Sequence, residues 1–217
     1  MNEHHHHEHT ITGELICHLP YAIFSVALGL GLLSLISIAN MGQDQITKSS
    51  NILFHSFHFI HIVFAATGTL LTFLRFSRNT VKALIVGIFS PAIFCTLSDV
   101  VLPYLGGRVL GVNMHFHLCF YNELHNVVPF LFVGIFNGFV MSKHYQHRQG
   151  LYSLFSHAMH ILVSSLASLF YLVSQGFTYW YTSIGVVFLF LVVAVVVPCS
   201  LSDVVVPMIF AKTDKKK

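Results

Sequence analysis

The sequence predicts an all-α integral membrane protein whose six transmembrane helices form two inverted-topology three-helix repeats. Three observations carry that expectation: long apolar stretches nearly free of charge, basic residues gathered on one side, and a nine-residue motif that occurs twice. Of 217 residues, 55% are hydrophobic and 9% charged, whereas a soluble domain carries about a quarter of its residues as Asp, Glu, Lys and Arg. The mean hydropathy is +0.74.

A helix needs roughly 20 mostly apolar residues to cross the hydrocarbon core. Six stretches meet that requirement, at 19–39, 52–74, 80–103, 124–142, 151–173 and 180–206. The connections are short and leave no room for a soluble domain. The first stretch follows a polar, His-rich lead and runs on without a small-residue cleavage site, so it reads as a retained helix rather than a signal peptide. The run His4 to His7 with His9 reads as a native segment in preference to a truncated purification tag, because Glu3 and Glu8 interleave with it. The organisation expected is a His-rich segment over 1–10, a first repeat over 11–107, a second over 108–211 and a basic tail over 212–217.

Basic residues concentrate on the cytoplasmic side of membrane proteins. Arg75, Arg78, Lys82, Lys143, Arg148, Lys212, Lys215, Lys216 and Lys217 fall on one side and only Lys48 and Arg108 on the other. Both termini are therefore expected in the cytoplasm. The net charge of +3 follows from this bias and calls for no nucleic-acid partner. The lipid bilayer and metal ions are the expected partners; a homo-oligomer or a larger membrane assembly is compatible with the pattern. Among the cysteines Cys17, Cys95, Cys119 and Cys199 there is no CxxC spacing. Cys95 and Cys199 are expected on opposite sides of the membrane, which does not suggest a disulfide pair.

Self-comparison shows the duplication. The third stretch ends Cys95-Thr-Leu-Ser-Asp99-Val-Val-Leu-Pro103 and the sixth Cys199-Ser-Leu-Ser-Asp203-Val-Val-Val-Pro207, identical at seven of nine positions. The second stretch holds His58-Phe-Ile-His61 and the fifth His157-Ala-Met-His160. Glu14-Leu15, Pro20 and Gly29 recur as Glu123-Leu124, Pro129 and Gly138 at equal spacings, preceded by His7-Glu-His9 and His115-Phe-His117. Three helices end on the side opposite their start, so two such units in tandem have inverted topology, the arrangement of several transporters.

Topology then sorts the polar residues into two sites, one near each face. His58, His61, Asp99, His115, His117 and Glu123 are expected together on the outside, and His157, His160, Asp203, His7, His9 and Glu14 on the inside. HxxH aims both imidazoles from one helix face, and HxH in an extended lead-in does the same at i and i+2. Imidazole with carboxylate suits Zn, Fe, Mn, Ni or Cu as divalent ions, and the lack of thiolate pairs in sequence argues against a Cys-rich zinc site. A charged Asp inside the bilayer costs about 2.5–3.5 kcal/mol at its centre. Four of the chain's eight acids are the repeat-matched Glu14, Asp99, Glu123 and Asp203. Ser-Asp ahead of Val-Val also suits hydrogen bonding to a helix broken near Pro103 and Pro207. Gly29, Gly31, Gly134 and Gly138 are expected to allow close helix contact.

This pattern points to a divalent transition-metal transporter or channel. The rival expectations are an integral-membrane metalloenzyme of the iron or copper oxidase or hydroxylase type, and a metal- or haem-carrying subunit of a larger complex.

Overall fold

The computed structural model describes residues 11–38, 42–144 and 149–213, with residues 11–17, 144 and 149–154 described by their backbone alone. His7 and His9 lie outside the described residues, as does the side chain of Glu14. Every regular element among the described residues is helical: α1 (Ile11–Ile38), α2 (Gln43–Phe76), α3 (Thr80–Thr96), α4 (Leu102–Val109), the short α5 (Cys119–Asn122), α6 (Leu124–His144), α7 (Gln149–Ser174), α8 (Ile184–Ser200) and α9 (Val206–Lys212). Wider π turns join α3 to α4 over Leu97–Val101 and α8 to α9 over Leu201–Val205. Six helical spans among the described residues are long and apolar enough to cross a membrane: His18–Ile38, Gln43–Phe76, Thr80–Val109, Leu124–Lys143, Phe155–Ser174 and Trp180–Lys212.

The second span starts earlier than hydropathy suggests. Its polar first turns, Gln43 to Asn51, contain no Pro or Gly, so nothing breaks the helix until the extended Gly42. This extension puts His58 and His61 astride the midpoint of α2 rather than near its end.

The two π turns have a common cause. Pro103 and Pro207 bring no N–H to the carbonyls of Asp99 and Asp203 four residues back. The ladder widens just before each proline, with Leu102 N–H donating to the Leu97 carbonyl and Val206 N–H to that of Leu201. Such turns leave carbonyls free for outside donors. Ser168 Oγ donates to the Ser98 carbonyl at 3.0 Å, while Thr69 Oγ1 and Ser90 Oγ donate to that of Ser202 at 3.0 and 3.1 Å.

The helices α2 and α7 form the centre, with 61% and 78% of their most apolar windows buried against 17% for α6. They run antiparallel: Phe54 meets Tyr171 with ring centres 5.0 Å apart, Phe57 meets Phe170 at 5.8 Å, and His61 meets His160 at 4.5 Å. The helix α1 lies against α7 and α6 against α2. Gly134 and Gly138 permit the second of these contacts: a Cβ on Gly134 would stand 2.7 Å from the Val63 carbonyl oxygen, and one on Gly138 2.8 Å from Leu70 Cβ. Gly31 has no such role, since a Cβ there meets nothing within 4 Å. The outward faces carry Phe24, Phe89, Phe132, Phe136 and Leu189, all exposed, the surface a lipid-facing bundle presents.

Candidate metal centre

Two carboxylates organise the middle of the bundle. Asp99 sits in the π turn after α3, and its Oδ2 accepts from Nδ1 of both α2 histidines, His58 at 2.9 Å and His61 at 2.6 Å. Its Oδ1 accepts from Ser98 Oγ and from Ser164 Oγ of α7, each at 2.8 Å. Asp203, in the second π turn, accepts through Oδ2 from His160 Nδ1 at 2.5 Å and pairs with His157 Nδ1 at 3.2 Å. Each HxxH thus closes on the aspartate of its own half. A residue at i and its i+3 neighbour share a face, which is what lets one oxygen serve two rings. All of His58, His61, His160, Asp99 and Asp203 are buried, and among the described residues histidines alone form the ion pairs of these aspartates.

The register of the two halves explains a difference between the carboxylates. His58 and His61 correspond to His157 and His160, and at the same offset Thr69 corresponds to Ser168 and Ala65 to Ser164. Ser164 satisfies Asp99 Oδ1; Ala65 has no hydroxyl to offer its counterpart. Asp203 Oδ1 is consequently buried with no hydrogen-bond partner. Gly68 makes the space for this carboxylate, since a Cβ there would lie 2.5 Å from Asp203 Oδ2.

With Nδ1 donating to a carboxylate, the neutral imidazole carries its lone pair on Nε2. His61, His160 and Cys199 offer ligand atoms that all lie within 4.8 Å of one another. Cys95 Sγ lies 3.7 Å and Cys199 Sγ 3.9 Å from His61 Nε2. His160 Nε2 is buried without a hydrogen-bond partner, and so is His58 Nε2. These buried His, Cys and Asp groups make a site able to hold a metal ion.

A second cluster joins His55 of α2 to His117 and Glu123 of the segment that precedes α6. His55 Nε2 is 2.9 Å from Glu123 Oε1 and 3.3 Å from His117 Nε2, and His117 Nε2 is 3.4 Å from the same carboxylate oxygen. Tetrahedral nitrogen and oxygen ligands at about 2.0–2.2 Å from zinc stand about 3.4 Å apart, so these three atoms have the spacing of a ligand set. The cluster is partly exposed, with side-chain exposures of 17% for His55, 27% for His117 and 24% for Glu123. Burial and the His55 ring hold His117 below the usual imidazole range, against the pull of Glu123. Burial alone would push the Glu123 carboxyl up; the Asn126 amide, which donates to Oε2 at 3.2 Å, and the His55 and His117 rings outweigh it and hold the group below its usual range. Both groups are therefore biased to their metal-ligating forms. The nearby Cys119 differs: burial, with the charge of Glu123 adding to it, pushes its thiol up to about 12.

The placement of the sequence-predicted residues differs from the expected two-face arrangement. His58, His61 and Asp99 come together, as do His157, His160 and Asp203, but the two groups abut through His61 and His160 instead of lying near opposite faces. The cause is the early start of α2, which carries its HxxH to mid-helix. His117 and Glu123 form the separate, partly exposed cluster with His55. His115 is exposed and joins neither; its backbone N–H donates to the Gln175 carbonyl. Residues 112–118 are irregular, so the i and i+2 alternation of a strand does not hold there. Cys95 and Cys199 are not separated, since both approach His61 Nε2. His55, which has no repeat partner in the sequence, supplements the cluster of His117 and Glu123: it stands one turn before His58, on the side that faces His117.

Along α2, His55, His58 and His61 follow one another at three-residue spacing and set the two clusters in succession. The polar groups run from His55, His117 and Glu123 through His58, Asp99 and His61 to His160, Asp203 and His157, and then to His18, whose ring centre is 5.2 Å from that of His157. Comparison with family models, curated proteins and solved structures finds no significant match to this chain.

Proposed function

We propose that this membrane protein conducts divalent transition-metal ions along its file of imidazoles and carboxylates. The observation that carries the reading is the succession of His55, His58 and His61 along α2, from a partly exposed cluster to the buried core. A dication leaving water needs replacement ligands at each stage, and imidazole with carboxylate suits borderline metals. Three buried atoms without partners, His58 Nε2, His160 Nε2 and Asp203 Oδ1, lie along the route. Unsatisfied buried groups are rare and call for an explanation; a passing cation supplies one.

On this reading the two halves are inverted repeats. The paired Leu-Ser-Asp-Val-Val π turns, the antiparallel crossing of α2 and α7, and the reciprocal seating of α1 on α7 and α6 on α2 support it. Basic-residue bias supports cytoplasmic termini, which makes the His55, His117 and Glu123 cluster the outer access point. The test is metal flux into proteoliposomes holding the full chain and a metal-sensitive dye. Transport of at least one first-row divalent ion, lost in Asp99→Asn, is expected; no flux for any of them removes the proposal.

One observation favours a second reading, a membrane metalloenzyme. Two imidazoles and one carboxylate that are partly open to solvent resemble a catalytic ligand set with a free position. Metal-dependent oxygen consumption or hydrolysis without flux would select it.

A further inference from the structure

We infer that the core site holds its ion through sulfur as well as nitrogen, with His61, His160, Cys199 and Cys95 forming a shell that selects a thiophilic ion such as Zn(II). Asp99 and Asp203 then stand behind the imidazoles as hydrogen-bond acceptors. The inference rests on the metal-conduction reading and narrows its substrate.

Asp99 has the geometry of a supporting group. A carboxylate offers about four acceptor positions, and Asp99 fills them with His58, His61, Ser98 and Ser164. That oxygen pair has no lone pair left for a metal. Histidines that ligate metals give their other ring N–H to a carboxylate, which fixes the ring and raises its basicity. His61 and His160 both do so through Nδ1, and their rings approach to 4.5 Å between centres.

The sulfurs complete the shell. A tetrahedral ion with bonds of about 2.3 Å to sulfur and 2.0–2.1 Å to nitrogen separates those ligands by about 3.5 Å. The separations from His61 Nε2 are 3.7 Å to Cys95 Sγ and 3.9 Å to Cys199 Sγ. Both cysteines are free and buried, and they come from matching positions of the duplicated motif. The thiolate pair that no CxxC spacing announces is assembled in space from the two halves. On ion binding the thiol protons leave to bulk water and the thiolates ligate. Hard ions such as Mn(II) and Mg(II) favour oxygen; the N and S shell disfavours them. His61, His160 and Cys199, from α2, α7 and α8, converge within 4.8 Å of one another, and Cys95 of α3 reaches the same His61 ring, so an ion held there also ties these elements together.

The test is X-ray absorption at the zinc edge on the zinc-loaded full chain in detergent, together with Co(II) substitution. His117→Ala/Glu123→Gln protein, whose outer cluster is dismantled, confines loading to the core. The expected result is zinc–sulfur scattering at about 2.3 Å and a near-ultraviolet sulfur-to-cobalt charge-transfer band. Cys199→Ser loses most of that band while Cys119→Ser keeps it, and unchanged thermal unfolding of the metal-free variants shows that both fold. A shell of nitrogen and oxygen alone, or a band indifferent to Cys199→Ser and Cys95→Ser, overturns the inference. Zinc flux measured in parallel separates the two claims. Sulfur in the shell without flux keeps the site and removes conduction; flux with an all-nitrogen and oxygen shell keeps conduction and removes the sulfur site.

Discussion

The rings of His61 and His160 meet with their centres 4.5 Å apart where α2 crosses α7, each held from behind by the aspartate of its own half. This contact joins what would otherwise be two separate carboxylate sites into one core, and the consequences are measurable.

Removing an acceptor should loosen the ring it orients. Asp99→Asn keeps the shape but offers one weaker acceptor to two Nδ1–H donors. Zinc affinity is expected to fall about 10–100-fold, the usual cost of losing such a partner. Competition against a chromogenic chelator measures it. Unchanged affinity would show that Asp99 does not orient His61.

The unequal satisfaction of the two aspartates predicts opposite effects at matched positions. Ser164→Ala removes one of the hydroxyls on Asp99 Oδ1 and should destabilise the bundle by about 1 kcal/mol, within the range of interhelical hydrogen bonds in membranes. Ala65→Ser places a hydroxyl where Asp203 Oδ1 lacks one and should stabilise by a similar amount. It should also slow flux, since it occupies an acceptor on the route. Thermal unfolding in detergent and liposome flux report the two effects.

Space beside Asp203 is equally specific. A Cβ on Gly68 would press on the carboxylate, so Gly68→Ala should displace it from His160 and lower zinc affinity about tenfold, as loss of an orienting partner does. Gly31→Ala is the control, because its Cβ meets nothing within 4 Å. The same chelator competition distinguishes them.

The outer cluster sets a pH dependence. Glu123 and His117 are both held below their usual ranges, so at neutral pH the carboxylate is charged and the imidazole neutral. As pH falls, His117 keeps its lone pair past the unperturbed imidazole pKa near 6.5, and its protonation then expels the ion. Zinc binding at this cluster should persist at pH 7 and disappear in a step below about 6.5. Histidine NMR resonances followed through the titration check it. Glu123→Gln should shift the step upward, toward loss of binding at higher pH, because zinc then competes with protons from a weaker position.

The six spans were legible because apolar length and charge scarcity act locally along the chain. The HxxH and Ser-Asp-Val-Val pairs were equally legible, since each motif recurs in the sequence at the same spacing. Depth was not: the polar start of α2 hides a helix that begins at Gln43, and that start moves His58 and His61 to the middle. Hydropathy measures partitioning, whereas helix continuity depends on the absence of a breaker. The approach of Cys95 and Cys199 to His61 was hidden because spacing rules look along one segment, whereas each thiol reaches the His61 ring from a different helix. His55 carried no signal beyond standing one helical turn from His58. The difference between Ala65 and Ser164 becomes readable only once the HxxH motifs fix the register.

The most direct test is anomalous diffraction or elemental mapping at the zinc edge on the metal-loaded full chain. The account predicts a peak bounded by His61, His160 and Cys199, with a second at His55, His117 and Glu123. Peaks confined to the outer cluster, with the imidazole pair in the core unligated, would contradict it.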